Sequence, residues 1–272
     1  MKKALLYLFV FLAIQFAVQF LVAAVVVVIT GDVDSAYSIT ATLSTLVLYS
    51  VATIVVFFWA RWADFSPAYV RSRPWGVLVW SAVAALGAIV PSLCLQSLLP
   101  EWSGWAREIA EQTEREMARL MMNPGGYLVI ALLPPVVEEM VFRGAVLRSL
   151  LQWKPNRRWL MIVISAAFFA IFHMNPAQMP HAFLIGLLLG WMYARTGSIV
   201  PGVVYHWANN SAAYAIFHIY HNPQSLTDVV GPDVQHVLLA LVFSLCILLP
   251  ALYQLNRGMK KSQPTGQYSA ES

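Results

Sequence analysis

Charged residues are scarce: Asp, Glu, Lys and Arg make up only 11% of the 272 residues, against 59% of hydrophobic type. An average soluble domain is roughly one quarter charged, so a water-soluble globule is excluded. Cysteine is sparse too. Cys94 and Cys246 both lie inside apolar runs, which argues against a disulfide framework or a Cys-based zinc site and makes them packing residues. The chain also lacks internal repeats and low-complexity tracts. Gly186 and Gly190 form a small-xxx-small face suited to close helix packing and not a phosphate loop. The formal net charge of +4 is spread between apolar runs and gathers on no single face, so nucleic acid is not an expected partner.

What fills the sequence instead is a series of apolar runs of about 20 residues, the length that crosses a bilayer as a helix. They fall at residues 4–30, 38–60, 75–98, 127–147, 159–174, 182–195, 199–218 and 235–255. The expected fold is all-α, a polytopic membrane protein of about eight transmembrane helices enclosing a polar cavity. It would form one domain over 1–256, followed by a disordered cytoplasmic tail at 257–272. The first run is too long for a signal peptide and reads as a retained helix. Eight crossings place Lys2, Lys3, Arg61, Arg71, Arg73, Arg148, Lys154, Arg157, Arg158, Arg195, Arg257, Lys260 and Lys261 on one side. By the positive-inside rule both termini are then cytoplasmic. Only Arg107, Arg115 and Arg119 fall opposite, among several glutamates. They lie in a stretch, 102–122, whose apolar residues Trp105, Ile109, Met117, Leu120 and Met121 recur at helical spacing. That pattern suits an amphipathic helix on the outer surface or a solvated connector.

Polar residues sit where a membrane should exclude them. The fourth run contains Glu138, Glu139 and Arg143 just after Pro134 and Pro135. A charged group at mid-bilayer costs at least about 2.5 to 3.5 kcal/mol, so three within six residues require a cavity or partners. Glu139 and Arg143, four apart, share a helix face and can pair, whereas Glu138 points about 100° away and is free for another role. The two prolines remove backbone donors and should kink the helix just before the acids. Phe169 and His173 share a face of the fifth span, and His206 and Asn210 share one of the seventh. Each pair alone is more simply read as interhelical hydrogen bonding or as a register-fixing ion pair. Together, on separate spans of one bundle, they point to a common polar cavity. His181 follows a proline at an expected loop, and His218, His221 and His236 read as interfacial.

Glu138-Glu139 with Arg143, Phe169 with His173, and His206 with Asn210 resemble the three motifs, EExxxR, FxxxH and Hxxx(N/B), of the CAAX-protease and bacteriocin-processing family of intramembrane proteases. The resemblance covers about residues 127–215 and includes the run from Tyr193 to Ile199. It implies an eight-helix fold with a conical cavity and peptide-bond hydrolysis within it. Glu138 would activate water, His173 would hold it, His206 and Asn210 would stabilise the oxyanion, and Glu139 and Arg143 would support the site. These residue types suit the reaction. A desolvated carboxylate can take a proton from water and return it to the amine, and one oxyanion donor is worth about 2.7 to 4 kcal/mol.

A metal reading competes, because Glu138, His173 and His206 also match the ligand set of a hydrolytic zinc site. The two histidines lie on different spans and not in an H-E-x-x-H pair, so a metal-free glutamate mechanism is preferred and no cofactor is expected. The substrate would be a membrane-associated peptide or protein, in a bacterial-type inner membrane. Two other classes remain open: a transporter or channel using these groups as a proton relay, which the absence of inverted repeats disfavours, and a catalytically silent partner-binding member of the family. Counted along straight helices, His173 falls near the outer end of its span, Glu138 near the middle and His206 nearer the cytoplasmic end, so tilt, the kink at Pro134-Pro135 or a misplaced fifth-span boundary must close the gap between them.

Overall fold

The computed structural model describes residues 1–98, 103–221, 223 and 225–261. Among these residues the architecture is all-α, with no strand. Helix α1 (Lys2–Thr30) and α2 (Ile39–Trp59) are joined through a short turn, Asp34–Tyr37. Then follow α3 (Trp75–Ser97) and α4 (Trp105–Met121). A continuous helical run over residues 128–153 is α5; after it come α6 (Arg158–Phe172), α7 (Met179–Thr196), α8 (Val200–Ile219) and α9 (Val234–Lys261). Boundaries follow local chemistry. Gly31 ends α1 in the left-handed conformation, and the Ser38 hydroxyl accepts the Ala41 N–H at 3.3 Å to start α2.

Helices stand at each of the eight expected positions. Four of them, α1, α2, α3 and residues Val234–Met259 of α9, are long and apolar enough to cross a membrane. The remaining four are shorter or interrupted by polar groups. α6 has 15 residues and reaches only about 22 Å at 1.5 Å per residue, less than the ~30 Å hydrocarbon core. Two boundaries are corrected. α5 continues to Trp153, past the expected end at 147, because nothing from 148 to 153 breaks a helix and Pro155 is the first residue that does. α9 continues to Lys261, into the expected tail; the rest of that tail, 262–272, lies outside the described residues.

α5 is the axis of the molecule: every residue from Glu139 to Leu147 is buried. On one side α1, α2 and α6 pack on it through aromatic side chains. Phe142 meets Phe11 edge-on at 6.2 Å and Phe169 at 5.2 Å. On the other side α3, α7, α8 and α9 share a second core that includes Ala84, Leu189, Tyr205 and Leu255. Small residues allow the closest approaches. A Cβ on Gly186 would stand 2.9 Å from that of Ala166, and one on Gly190 would stand 2.9 Å from Ile162, the small-xxx-small packing expected for α7. Both cysteines are free; Cys94 is partly buried and Cys246 is exposed on α9.

α4 is amphipathic as its spacing predicts. Leu120 and Met121 are buried, but Trp105, expected on the same face, is exposed. Arg119 donates to the Tyr37 carbonyl at 3.1 Å and pins the helix to the α1–α2 turn. Arg107 hydrogen-bonds Glu111 at 2.7 Å and, through that bond and its charge, holds the carboxyl below its ordinary value.

Candidate active site

Site geometry begins with the two prolines. α5 is π-helical over Leu128–Leu132, α-helical over Leu133–Glu138 and π-helical again over Glu139–Leu147. The Ile130 carbonyl has Pro134 four residues on and Pro135 five residues on, so neither an α nor a π hydrogen bond can reach it. The Leu133 N–H is taken by the Leu128 carbonyl. The missing donor comes from another helix: Asn210 Nδ2 of α8 donates to Ile130 O at 3.0 Å. The kink expected at Pro134-Pro135 is therefore a change of helical register, spliced by Asn210. Replacing Asn210 with Ala is expected to leave that buried carbonyl unpaired and to cost about 1 to 3 kcal/mol. Denaturant titration of the purified protein checks this; wild-type stability would mean that the carbonyl finds another donor.

Just beyond the splice, the two acids diverge. Glu139 Oε1 accepts from Arg143 Nη1 at 2.7 Å, with the carboxylate fully buried and the guanidinium 1% exposed. This is the i,i+4 pair read from the sequence. Arg143 also donates to Gly186 O at 3.3 Å and lies with Cζ 4.3 Å from the Phe169 ring centroid. The Glu138 side chain is one quarter exposed and faces a cavity. Between the acids stands His206, its Nε2 3.9 Å from Glu138 Oε2 and its Nδ1 3.6 Å from Glu139 Oε1. Both separations exceed direct hydrogen-bond reach. His206 Nδ1, Glu138 Oε2 and Glu139 Oε2 are buried with no hydrogen-bond partner among the described residues. Gly202, one turn before His206, makes room for this: a Cβ there would stand 2.5 Å from Glu139 Oε2.

The cavity beside Glu138 measures about 80 Å³, room for a few water molecules. His173 lines it with Glu138, walled by Phe142, Phe169 and Phe172. His173 Nδ1 lies 2.9 Å from the Phe169 carbonyl. A carbonyl can only accept, so Nδ1 carries the proton and Nε2 is left as an acceptor. Phe169 is the hub of the cluster, edge-on to His173 at 4.8 Å and to His206 at 6.0 Å while its face carries Arg143.

The gap counted along straight helices is closed in two ways. α5 and α6 form an antiparallel hairpin in which Glu138 lies 15 residues before Trp153 and His173 lies 15 residues after Arg158. Equal arms bring them level; ending α5 at 147 had hidden this. The α7–α8 turn is exposed at Gly197, φ 67°, and the chain then turns inward. Ser198 and Ile199 are buried, and Ile199 Cγ2 would lie 3.5 Å from a Cβ on Gly144. α8 therefore starts inside the protein, and two turns later His206 reaches the acids.

Asn210 does not line the cavity; one of its amide hydrogens is committed to Ile130, and its oxygen accepts from Asn209 at 3.2 Å. Three residues that sequence reasoning passed over do approach the site. Gln15 of α1 and Tyr49 of α2 line the same cavity, and Gln15 is one of only two amides in the first apolar run. His181 is helical, in the first turn of α7, and not in a loop; it lies within electrostatic reach of His173 and His206. Among the described residues no three His, Cys, Asp or Glu side chains are grouped closely enough to hold a metal ion.

Long apolar helices around a buried acid and imidazole cluster define the class as an integral membrane protein with an internal acid–base site. Residues 122–212 match the family model described as Type II CAAX prenyl endopeptidase Rce1-like. That segment carries all three motifs, and its similarity to the family agrees with the resemblance read from them. No curated protein and no solved structure matches the chain.

Proposed function

We propose that this protein is an intramembrane endopeptidase that hydrolyses a peptide bond of a membrane-associated peptide or protein. The observation that carries the reading is the shared cavity of Glu138 and His173, with His206 3.9 Å from the same carboxylate. Water in the cavity donates a hydrogen bond to His173 Nε2 and gives its proton to Glu138. The hydroxide oxygen attacks the carbonyl carbon, and the developing oxyanion is met by the His206 Nε2–H and by the uncommitted Asn210 amide hydrogen. Glu138 then returns the proton to the leaving nitrogen as the C–N bond breaks. The buried Glu139–Arg143 pair fixes the far side of His206.

The same reading takes the eight helices as eight crossings, with both termini cytoplasmic in a bacterial-type inner membrane. The structural side of the positive-inside pattern supports it: Lys3, Arg61 and Arg148 meet at one end of the bundle, and Arg195 donates to Asn256 of α9 at 3.0 Å.

Purified protein is expected to cleave a membrane-associated peptide, and to keep that activity through treatment with a strong chelator. A requirement for one equivalent of zinc per active chain would overturn the metal-free mechanism. Comparing membrane-fraction proteomes of cells carrying wild type or Glu138→Ala identifies the substrate as the protein that accumulates uncleaved.

A further inference from the structure

A second cavity, of about 380 Å³, opens at the basic end of the bundle. It has no part in the cluster around Glu138. Three segments contribute one cation each: Lys3 from the first turn of α1, Arg61 from the turn after α2, and Arg148 from α5. No carboxylate lines it, and no ion pair among the described residues engages any of the three. Like charges gathered in one concavity repel one another and raise the local potential for an anion. The chain turns sharply to present them. Arg61 adopts φ 56°, a conformation that residues with a Cβ rarely take, with Arg61 N–H bonded to Phe58 O and Trp62 N–H to Phe57 O, each at 3.0 Å. That turn lays Trp62 against Tyr7, their ring centroids 4.9 Å apart. Gln152 adds an amide to the rim.

We infer that this cavity binds a phosphate group carried by an anionic phospholipid. The cations supply the charge-assisted donors that phosphate takes. Tyr7 and Trp62 are the amphipathic aromatic type that sits where headgroups meet acyl chains. Leu6, at the cavity wall, is half exposed, and next to it Leu5 and Phe9 continue an outward apolar face along α1 that an acyl chain can follow. A free inorganic phosphate would use the cations and leave that face unused. The site rests on the membrane reading of the chain and is independent of the peptidase chemistry.

The test is native mass spectrometry of the full chain in mild detergent, titrated with phosphatidylglycerol or phosphatidylcholine. Wild type is expected to retain phosphatidylglycerol in preference. Each cation near a headgroup is worth roughly a fivefold affinity factor, so Lys3→Gln/Arg61→Gln/Arg148→Gln should bind about a hundredfold more weakly. Arg71→Gln/Lys154→Gln/Arg157→Gln removes equal charge at the same end, outside the cavity, and should stay within about twofold of wild type. Equal losses in the two variants would reduce the effect to diffuse surface charge and overturn the site. No preference in wild type would overturn it as well. Displacement of the lipid by an equal concentration of inorganic phosphate would overturn the lipid assignment in favour of a free anion. If the triple variant does not fold, Arg148→Gln alone carries the test through its expected fivefold loss.

Discussion

Glu138→Ala is expected to lower the rate of peptide hydrolysis by about 10²- to 10⁴-fold, the range that one positioned general base contributes. The loss should appear in kcat with KM little changed, because in the proposed mechanism the carboxylate acts on water and on the leaving nitrogen, not on ground-state binding. Stability should change little: the side chain is one quarter exposed and faces a cavity, and it forms no ion pair as short as that of Glu139. His173→Ala should cost a comparable factor, since it removes the other side of the water site, and the double variant should be scarcely worse than either single one. Residues that act as a unit are non-additive in this way. The measurement is steady-state cleavage of a membrane-associated peptide by purified wild type and variants at matched folding. Full activity in Glu138→Ala would refute the proposed mechanism.

Glu139 and Arg143 should behave in the opposite manner, with the larger effect on stability. Both are buried to within 1%, and their 2.7 Å contact is the shortest buried ion pair among the described residues. Removing one partner strands a charge where water cannot reach it, which costs about 3 to 5 kcal/mol. Glu139→Gln removes the paired countercharge and leaves the guanidinium with neutral partners beside it, the Gly186 carbonyl and the Phe169 face among them. Arg143→Met leaves the carboxylate against Gly202 with His206 Nδ1 3.6 Å away. Carrying both changes at once removes both charges and is expected to recover much of the loss, so the double-mutant cycle should report a coupling of about 3 kcal/mol or more, at the top of the range for contacting pairs. Denaturant unfolding of the four proteins in one detergent measures it. Additive losses would mean that the two side chains do not depend on each other.

What could be read in the sequence was what a helix imposes locally. Glu139 and Arg143 pair because they are four apart, Phe169 and His173 lie together for the same reason, and the apolar runs mark the helices to within a few residues. What could not be read was what one helix does to another. Asn210 was assigned through its family position to the oxyanion, but its first commitment is to a carbonyl 80 residues earlier. The prolines signalled that a carbonyl would be orphaned and gave no sign of the donor. Gly202 carried a faint signal, a glycine one turn before a candidate site histidine. Tyr49 and Gln15 reach the cavity from helices that carry no family motif, and only the rarity of an amide in α1 hinted at one of them. The level of His173 was misjudged because an apolar run ends where hydropathy falls, whereas α5 itself runs on through polar residues to Trp153.

The equal arms of the α5–α6 hairpin turn the distance between acid and imidazole into a matter of counting. A residue inserted in the link at 154–157 lies outside both arms and leaves them matched. One inserted between 139 and 153, or between 158 and 172, rotates one partner by about 100° and lifts it by about 1.5 Å relative to the other. The hairpin thus acts as a ruler: the placement of acid and imidazole at its open end is specified by the lengths of two helices, and the loop that joins them is free to vary.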